Sequence, residues 1–360
     1  MHPDESVAVD PWRGFEGHER VVVARDASSG VAMVVALHST VLGPALGGTR
    51  MTPYSHAPEP RAAAYSDALR LSRAMTYKNS LAGLDHGGGK AVIVADPRHK
   101  DPDVLRAYGR LVASLQGAYV TAGDVGITVA DMDIIGETNP WTTGRSPENG
   151  GVGDSGILTS LGVFRGLQAC VLADRGSDLL EGITVGIVGV GKVGGRLAGH
   201  LVDAGAAVVA YDPSEAAREA LRDSVPQAEL LASLDELLDA HVDVLSPNAL
   251  GGLITSEVAS STSARIICGG ANNQLADPAV ADLLAQRGIT FAPDFMVNCG
   301  GVIQVAEELV GGDMDRARAR TERVYETTLR VLDRARSEGV TPVTAAEREA
   351  EERIRLATVG

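Results

Sequence analysis

This chain contains only four lysines, and one of them ends a run of three glycines. The run is Gly87-Gly88-Gly89, and Lys90 follows it directly. Glycine has no side chain, so a substrate could lie against this backbone, and the lysine has no bulky neighbours. An amine that is partly shielded from water favours its neutral form, which can accept a proton. The pattern therefore predicts Lys90 as a general base.

Two further charged residues could act with Lys90. Lys78 lies twelve residues earlier, and its spacing suits a binding role and a solvated surface position equally well. Asp124 is flanked by glycines at the end of an apolar segment. A carboxylate beside Lys90 would orient the amine and carry protons, whereas the simpler alternative is an aspartate in an ordinary turn. The spacing alone leaves these alternatives open.

A glycine-rich turn predicts a dinucleotide site in the second half of the chain. It directly follows an apolar strand expected over Ile183–Val188 and opens a helix. The first glycine permits a tight turn, the second lets the backbone approach a pyrophosphate, and the third allows close packing of helix and strand. A glycine turn without a ligand is the simpler alternative. The residues assigned to the turn are Gly189, Val190, Gly191, Lys192, Val193, Gly194 and Gly195.

An acidic residue at the end of the next strand indicates which dinucleotide binds. Asp212 follows Gly191 by 21 residues. A carboxylate there can accept hydrogen bonds from the ribose hydroxyls of NAD, and it would repel the 2′-phosphate of NADP. Arg218 is close enough in sequence to leave NADP use open. We therefore expect NAD as the cofactor.

The elements around Lys90 and Asp124 are predicted to form a mixed α/β domain. Two β-branched runs, Val21–Ala24 and Val31–His38, favour a hairpin, and Ala62–Ala82 has the apolar spacing of an amphipathic helix. A glycine-rich turn is expected over residues 43–48, and a short buried strand over Ala91–Ala95. Both glycine runs are thus expected in turns that precede strands.

The elements around the dinucleotide turn predict an α/β fold of the Rossmann type, a doubly wound parallel sheet. Near-continuous apolar strands alternate there with helices. The loop Thr143–Gly153 is rich in glycine, proline and serine and is a candidate hinge, although it could also be a surface loop. We expect a substrate and oligomerisation domain over 1–145, completed by helices over 330–360. An NAD-binding domain is expected over 146–329, with a cleft between the domains.

Composition excludes several function classes. A formal net charge of −15 argues against a nucleic-acid partner, which needs a basic face. The sequence has no run of 18 apolar residues, so no membrane association is expected. Three widely spaced cysteines favour buried thiols in a cytoplasmic protein, and the scattered histidines predict no metal site.

Taken together, the motifs closely resemble those of the amino acid dehydrogenases that act on glutamate, leucine, phenylalanine and valine. The resemblance runs from about residue 21 to about residue 344, with the motifs in the family's order. It is carried by GPALGGTR, MTYKNSLAGL, HGGGKAV, AGDVG, VADMD, TTGRSPENGG, GVGKVG, CGGANNQLAD and APDFMVNCGGVIQVAEEL.

The resemblance implies a role for each matching residue. Lys90 would be the base that activates water, Lys78 would bind the substrate carboxylate, and Asp124 would assist proton transfer. The glycines of GPALGG that would line the substrate site are Gly47 and Gly48. The residues that would hold the nicotinamide end of the cofactor are Thr159 and Asn272, and Ala249 lies where the family contacts the cofactor.

The resemblance also implies a substrate class. The apolar positions that would meet the substrate side chain are Leu46, Ala122, Val302 and Val305. Their aliphatic character favours NAD-dependent oxidative deamination of a small aliphatic L-amino acid of the valine, leucine or isoleucine type. The alternatives are an aromatic amino acid dehydrogenase, for phenylalanine or tryptophan, and a non-catalytic NAD-binding paralogue. The family forms homo-oligomers, so we expect one here.

Four positions depart from the family's pattern, and none of them removes a charge or a proton carrier. Altered affinity is therefore expected from them rather than lost chemistry. They are Ile127, Asn248, Gly270 and Cys299.

Overall fold

The computed structural model describes Phe15, residues 17–249 and residues 251–359. The described chain divides into two compact units. Unit 1 comprises the residues up to Thr76 together with Asp85–Asn149, and unit 2 comprises Tyr77–Leu84 together with the residues from Gly150 onward. The second division falls inside the glycine-rich loop Thr143–Gly153.

Unit 1 is built on a five-stranded mixed sheet in the order β1-β2-β4-β3-β5. Alternate residues of β2 point to opposite faces: Val35 and Leu37 join the core that packs on α2 and α3, whereas Val34 and Ala36 join the core beneath α1. Its elements are β1 (Arg20–Arg25), β2 (Ala32–Ser39), β3 (Ala45–Met51), α1 (Pro60–Leu81, which ends in unit 2), β4 (Gly87–Val94), α2 (Pro102–Ala113), β5 (Tyr119–Gly123) and α3 (Val129–Gly136).

The glycine runs of unit 1 lie inside strands, so the expectation of turns before the strands is wrong. Gly47 and Gly48 belong to β3, and Gly87, Gly88 and Gly89 belong to β4. The reason is close packing of the backbone. A Cβ atom on Gly47 would lie 1.8 Å from the carbonyl oxygen of Gly89, and one on Gly88 would lie 2.1 Å from a backbone nitrogen of α1. Only glycine fits between these segments.

Unit 2 contains a six-stranded parallel sheet in the order β11-β10-β9-β6-β7-β8. The first strand, β6, lies between β7 and β9, so the chain reverses its winding direction beside β6. This order is that of a doubly wound dinucleotide-binding fold, whose ligands bind at such a switch point. The strands are β6 (Thr184–Val188), β7 (Ala207–Tyr211), β8 (Glu229–Leu230), β9 (Val244–Pro247), β10 (Ile266–Ile267) and β11 (Thr290–Phe291).

The helices of unit 2 cover its sheet and extend to the end of the described chain. They are α4 (Gly156–Arg175), α5 (Gly194–Asp203), α6 (Glu215–Ser224), α7 (Leu234–Asp239), α8 (Ser256–Ser261), α9 (Val280–Gln286), α10 (Asp294–Val297), α11 (Gly300–Glu308), α12 (Met314–Glu322), α13 (Val324–Glu338) and α14 (Pro342–Val359). By length and composition alone, α4 could cross a membrane. Its residues are largely buried against α5, α11, α12 and α13, so its apolar character is that of a core helix.

The C-terminal helices belong to unit 2, which differs from the expectation that residues 330–360 complete the first domain. Two contacts explain the difference. Helix α13 packs along α4, and α14 packs on α13. Helix α14 also reaches the end of α1, where the Arg353 guanidinium donates hydrogen bonds to the carbonyl oxygens of Ser80 and Leu84 at 3.0 and 2.8 Å.

Candidate active site

Lys90 and Asp124, predicted from the sequence as base and acid partner, are in direct contact in unit 1. Lys90 lies on β4, is only 6% exposed, and donates a hydrogen bond from Nζ to Asp124 Oδ2 at 2.7 Å. Asp124 directly follows β5. Because β3 pairs with both β4 and β5, the sheet itself brings the two side chains together.

Asp124 has a second cationic partner. Arg50, on β3, donates from Nε to the same Oδ2 atom at 3.2 Å. Burial by itself would raise the pKa of Asp124, but the charges of Lys90 and Arg50 more than offset this effect and lower the pKa to about 2. The carboxylate is therefore ionised at neutral pH.

The predicted substrate-site glycines leave space beside this pair. A Cβ atom on Gly48 would lie 2.9 Å from the Cβ of Asp124 and 3.3 Å from Lys90 Nζ. The neighbouring Gly47 is fixed through its backbone, since its carbonyl oxygen accepts a hydrogen bond from the Tyr119 hydroxyl at 2.8 Å. The absence of a side chain at Gly48 keeps the amine and the carboxylate accessible to a small molecule.

Two predicted apolar positions lie on the same strands of unit 1. Leu46 on β3 is fully buried, and Ala122 on β5 is 6% exposed. Gly48 pairs with Ala122 in the strand register, and Leu46 pairs with Val120. Ala122 is therefore two residues before Asp124, and Leu46 also pairs with Gly88, two residues before Lys90 on β4.

Lys78 and Asn272 meet in unit 2. Lys78 is in the last turn of α1 and donates from Nζ to Asn272 Oδ1 at 3.2 Å. Asn298, which sequence reasoning did not single out, donates from Nδ2 to the same oxygen at 2.8 Å. The Asn272 amide is thereby held with its oxygen toward both donors. Near this group, burial raises the pKa of Asp294, an effect partly offset by the backbone N–H of Asn273 and the charge of Lys78.

The other predicted contacts of unit 2 lie on helices α4 and α11. Val302 and Val305 are buried on α11. Thr159, on α4, donates its hydroxyl hydrogen to the carbonyl oxygen of Ser155 at 2.9 Å, so its oxygen is left as an acceptor. The two helices pack closely, because a Cβ atom on Gly301 would lie 2.8 Å from Thr159 Oγ1.

The glycine-rich turn has the geometry that a pyrophosphate requires. Gly189 has φ +93°, which side chains rarely allow, and a Cβ atom on Gly194 would lie 1.9 Å from the Gly189 carbonyl oxygen. Among the described residues, nothing lies within 4 Å of a Cβ atom built on Gly191, so the backbone there is open. Helix α5 has no side-chain cap at Val193, although the Gly195 N–H already donates to the Gly191 carbonyl oxygen at 2.9 Å, and the N-terminal end of a helix favours an anion. These residues fit a dinucleotide.

The remaining turn residues surround this opening. Lys192 is exposed, and the backbone N–H of Val190 donates to Asp212. Gly195 lies in the first turn of α5, where a Cβ atom would be 3.1 Å from the Val190 carbonyl oxygen. Ala249 packs against the first glycine of the turn, since a Cβ atom on Gly189 would lie 2.7 Å from the Cβ of Ala249.

Asp212 is held at the end of β7 by two backbone donors. Its Oδ2 atom accepts from Val190 N at 2.8 Å, and its Oδ1 atom accepts from Ser214 N at 2.8 Å. The guanidinium of Arg218 is engaged by the Glu215 carboxylate and by the Asp212 carbonyl oxygen. Arg218 is thus tied to acceptors of its own turn.

Two of the four departures from the family's pattern contact each other. The Asn248 side-chain oxygen accepts from Gly270 N at 2.9 Å, and a Cβ atom on Gly270 would lie 2.9 Å from that oxygen. The glycine therefore makes room for the asparagine. Ile127, the third departure, is buried in the core of unit 1. Cys299, the fourth, is also buried, and this burial raises the pKa of its thiol to about 12.

The two halves of the chain match family models. Residues 18–140 match the dimerisation domain of the Glu/Leu/Phe/Val dehydrogenases, and residues 213–358 match the Glutamate/Leucine/Phenylalanine/Valine dehydrogenase model. The chain belongs to this family. Residues 171–250 also match the NAD-binding domain of D-isomer specific 2-hydroxyacid dehydrogenases, which supports a nicotinamide cofactor. The predicted family is confirmed, and the chain is an amino acid dehydrogenase.

Curated relatives match over nearly the whole chain. A valine dehydrogenase of Streptomyces albus is 51% identical over 340 residues, which are 94% of this chain and 92% of the relative. A leucine dehydrogenase of Geobacillus stearothermophilus is 42% identical over 339 residues, which are 94% of this chain and 90% of the relative.

Solved structures confirm the fold class. The L-tryptophan dehydrogenase of Nostoc punctiforme is similar with a TM-score of 0.81 and 36% identity, and the match covers 96% of this chain and 98% of that chain. A hetero-hexameric glutamate dehydrogenase of Thermus thermophilus has a TM-score of 0.78 at 24% identity, covering 94% of this chain and 89% of that one. The latter likeness concerns the fold alone.

Sequence reasoning missed Arg50 and Asn298 as members of these groups. A signal for Arg50 was present, since it lies two residues after Gly48 and alternate residues of a strand share a face. Asn298 could not be found this way, because its contact with Asn272 bridges 26 residues.

Proposed function

We propose that this protein catalyses the reversible, NAD-dependent oxidative deamination of small aliphatic L-amino acids to 2-oxo acids and ammonia. The observation that carries the proposal is the buried Lys90–Asp124 pair, joined at 2.7 Å, in a chain that is 51% identical to a valine dehydrogenase. In this pair, Lys90 supplies the proton acceptor and Asp124 the proton carrier for the deamination.

When bound, NAD supplies the acceptor for the hydride that leaves the Cα atom of the amino acid. The neutral Lys90 amine takes a proton from water, whose oxygen then attacks the imine carbon of the oxidised substrate. Asp124 accepts a hydrogen bond from Lys90 and carries protons between the amine and the amino group of the substrate. The resulting carbinolamine loses ammonia and leaves the 2-oxo acid.

The remaining predicted residues bind and orient the reactants. Lys78 pairs with the substrate carboxylate, which fixes the direction of the Cα–H bond. Asn272, held by Lys78 and Asn298, contacts the nicotinamide end of the cofactor together with Thr159, and Ala249 also contacts the cofactor. The turn from Gly189 to Gly195 holds the pyrophosphate, and Asp212 holds the ribose.

The preference for aliphatic substrates is supported by two observations. Leu46, Val302 and Val305 are aliphatic and buried. The valine and leucine dehydrogenase relatives are 51% and 42% identical, against 36% for the tryptophan dehydrogenase. One methylene group in such a pocket discriminates by only about 1–3 kcal/mol, so several aliphatic amino acids should react.

A substrate panel tests the proposal. Valine, leucine, isoleucine, 2-aminobutyrate, phenylalanine, tryptophan and glutamate are each supplied with NAD and with NADP, and the formation of reduced cofactor is followed by absorbance. We expect the highest kcat/KM with a branched aliphatic substrate and NAD. A maximum with an aromatic substrate would contradict the aliphatic assignment, and the absence of reaction with every substrate would contradict the enzymatic one.

Replacement of Lys90 tests the proposed base. Lys90→Ala should lower kcat by about 10²- to 10⁴-fold, the usual contribution of a general base. Lys100→Ala is the matched control, because Lys100 also forms an ion pair with a buried aspartate of unit 1, Asp131. Undiminished deamination by the Lys90→Ala variant would overturn the assignment.

We also propose that the protein is a cytoplasmic homo-oligomer. The match of residues 18–140 to a dimerisation domain supports the oligomer, which light scattering of the purified protein would test. The three cysteines are buried and form no disulfide, which is compatible with a reducing compartment.

A further inference from the structure

Arg50 occupies a place in unit 1 that the mechanism above does not use. Its guanidinium lies between two carboxylates, with Nε 3.2 Å from Asp124 Oδ2 and Nη1 2.8 Å from Asp67 Oδ2. The side chain is 18% exposed. An arginine held at both ends in this way has a fixed position, because Nε and Nη1 each have their own acceptor.

Asp67 is itself anchored. The Tyr54 hydroxyl donates to Asp67 Oδ2 at 2.6 Å, and Arg70 donates to Asp67 Oδ1 at 2.7 Å. Burial opposes the charge on Asp67, but these donors together with Arg50 lower its pKa. The chain of contacts therefore runs from the surface residue Arg70 through Asp67 and Arg50 to Asp124.

We propose that Arg50 is a positioning residue for the deamination reaction, which fixes the Asp124 carboxylate and shares its negative charge with Lys90. Asp124 Oδ2 accepts from both Lys90 Nζ and Arg50 Nε, so the two cations compete for the same charge. Because Arg50 remains protonated throughout, Asp124 binds the Lys90 ammonium less strongly than it would alone. Arg50 thereby weakens the hold of Asp124 on Lys90, whose amine must be free to accept a proton in the reaction.

This inference rests on the proposed function and predicts a change in pH dependence. Without Arg50, Lys90 is left as the one cation that the described residues place on Asp124 Oδ2, and Asp124 then holds the positively charged form of Lys90 more strongly. In Arg50→Met, the acidic limb of the kcat/KM profile should move to higher pH by about one unit. Arg50→Lys restores the positive charge and should return most of the shift.

A matched control separates the contact from a general change in charge. Arg106 also joins two carboxylates of unit 1, Asp103 and Glu137, at 3.0 and 2.7 Å, and it makes no contact with Asp124. Arg106→Met should leave the acidic limb in place. The binding of NAD to each variant, followed by fluorescence, shows that unit 2 is intact.

The measurement is the kcat/KM profile from pH 6 to 11 with the best substrate of the panel. An Arg50→Met profile that superimposes on the wild type overturns the inference and leaves the proposed function standing. An equal shift in Arg106→Met also overturns it. A wild-type protein that deaminates no substrate removes both proposals. If Arg50→Met does not fold, Asp67→Asn replaces it, since this change frees Arg50 to bind Asp124 more strongly and should move the limb in the opposite direction, to lower pH.

Discussion

At the residue scale, the ionisation and orientation of the polar side chains in this dehydrogenase depend on their partners more than on residue type. Asp124 was predictable as a candidate because glycines flank it, but its ionisation depends on Arg50 and Lys90. The same holds for Asn272, whose amide is oriented by Lys78 and Asn298. A residue type predicts what chemistry is available, and the neighbouring groups determine whether it is used.

His38 should make the protein sensitive to acid. Burial lowers its pKa to about 4, with the charges of His18 and Arg73 acting in the same direction and Glu19 opposing them. The unfolded chain then binds a proton below about pH 6.5 that the folded protein does not bind. The free energy of unfolding should fall as the pH drops from 6.5 toward 4, by about 1–2 kcal/mol after allowance for solvent screening.

Chemical denaturation between pH 7.5 and 5.5 measures this effect, since carboxyl groups of the unfolded chain, with pKa values of about 4, bind few protons in that range. His38→Gln should reduce the pH dependence, to which the half-buried His200 also contributes, and His99→Gln, at a side chain that is 80% exposed, should not. Parallel curves for wild type and His38→Gln would contradict the prediction.

At the scale of elements, the sequence predicted the parallel sheet of unit 2 well and the edges of unit 1 poorly. β6 begins within a residue of its predicted position, because buried parallel strands are continuous apolar runs. β8 has only two residues, both at least partly exposed, and offers no such signal. In unit 1, the glycines of β3 and β4 have the local pattern of turns. Glycine is required there because another backbone segment lies in contact, and a local pattern does not show that contact.

Helix ends show the same limit. The Thr344–Glu347 pattern predicts a capping box, but α14 begins at Pro342, and the Thr341 hydroxyl accepts from the backbone N–H of Thr344. The proline in the first turn suits a helix start, since it lacks an N–H group. Thr341 and Thr344 are both suitable first residues for a helix, and the local pattern does not show which of them is used.

The turn after β7 should determine cofactor choice. Asp212→Asn keeps an acceptor for a backbone N–H but removes the negative charge that repels a 2′-phosphate. We expect the ratio of kcat/KM with NADP to that with NAD to rise by about tenfold, or about 1.4 kcal/mol. Glu219→Gln, an exposed change on α6, serves as the control. An unchanged ratio in Asp212→Asn would show that the carboxylate does not select the cofactor.

At the scale of the whole molecule, unit 2 is assembled from distant parts of the chain. Its segment Tyr77–Leu84 carries Lys78 and is fixed by α14, more than 260 residues later. Sequence reasoning could assign the C-terminal helices to a domain only by analogy, because the contacts that decide the matter join residues far apart in the chain.

Loss of the Arg353 contacts should loosen the end of α1. Arg353→Met leaves two carbonyl oxygens, those of Ser80 and Leu84, without this donor, and we expect unfolding to become easier by about 1–3 kcal/mol. The KM for the amino acid should rise because Lys78 lies in the same segment. Arg355→Met, two residues later on an exposed part of α14, is the control. Thermal unfolding and substrate kinetics check both effects, and equal behaviour of the two variants would contradict the prediction.

The contacts between bare backbone segments in β3 and β4 limit how this enzyme could be redesigned. Any library that varies Gly47, Gly88 or Gly89 should return mostly insoluble or unfolded clones, since even a methyl group meets main-chain or ring atoms there. Broadening the range of accepted amino acids must begin at positions that already carry a side chain, such as Ala122, Val302 and Val305. At these three glycines, no larger residue is expected to be tolerated.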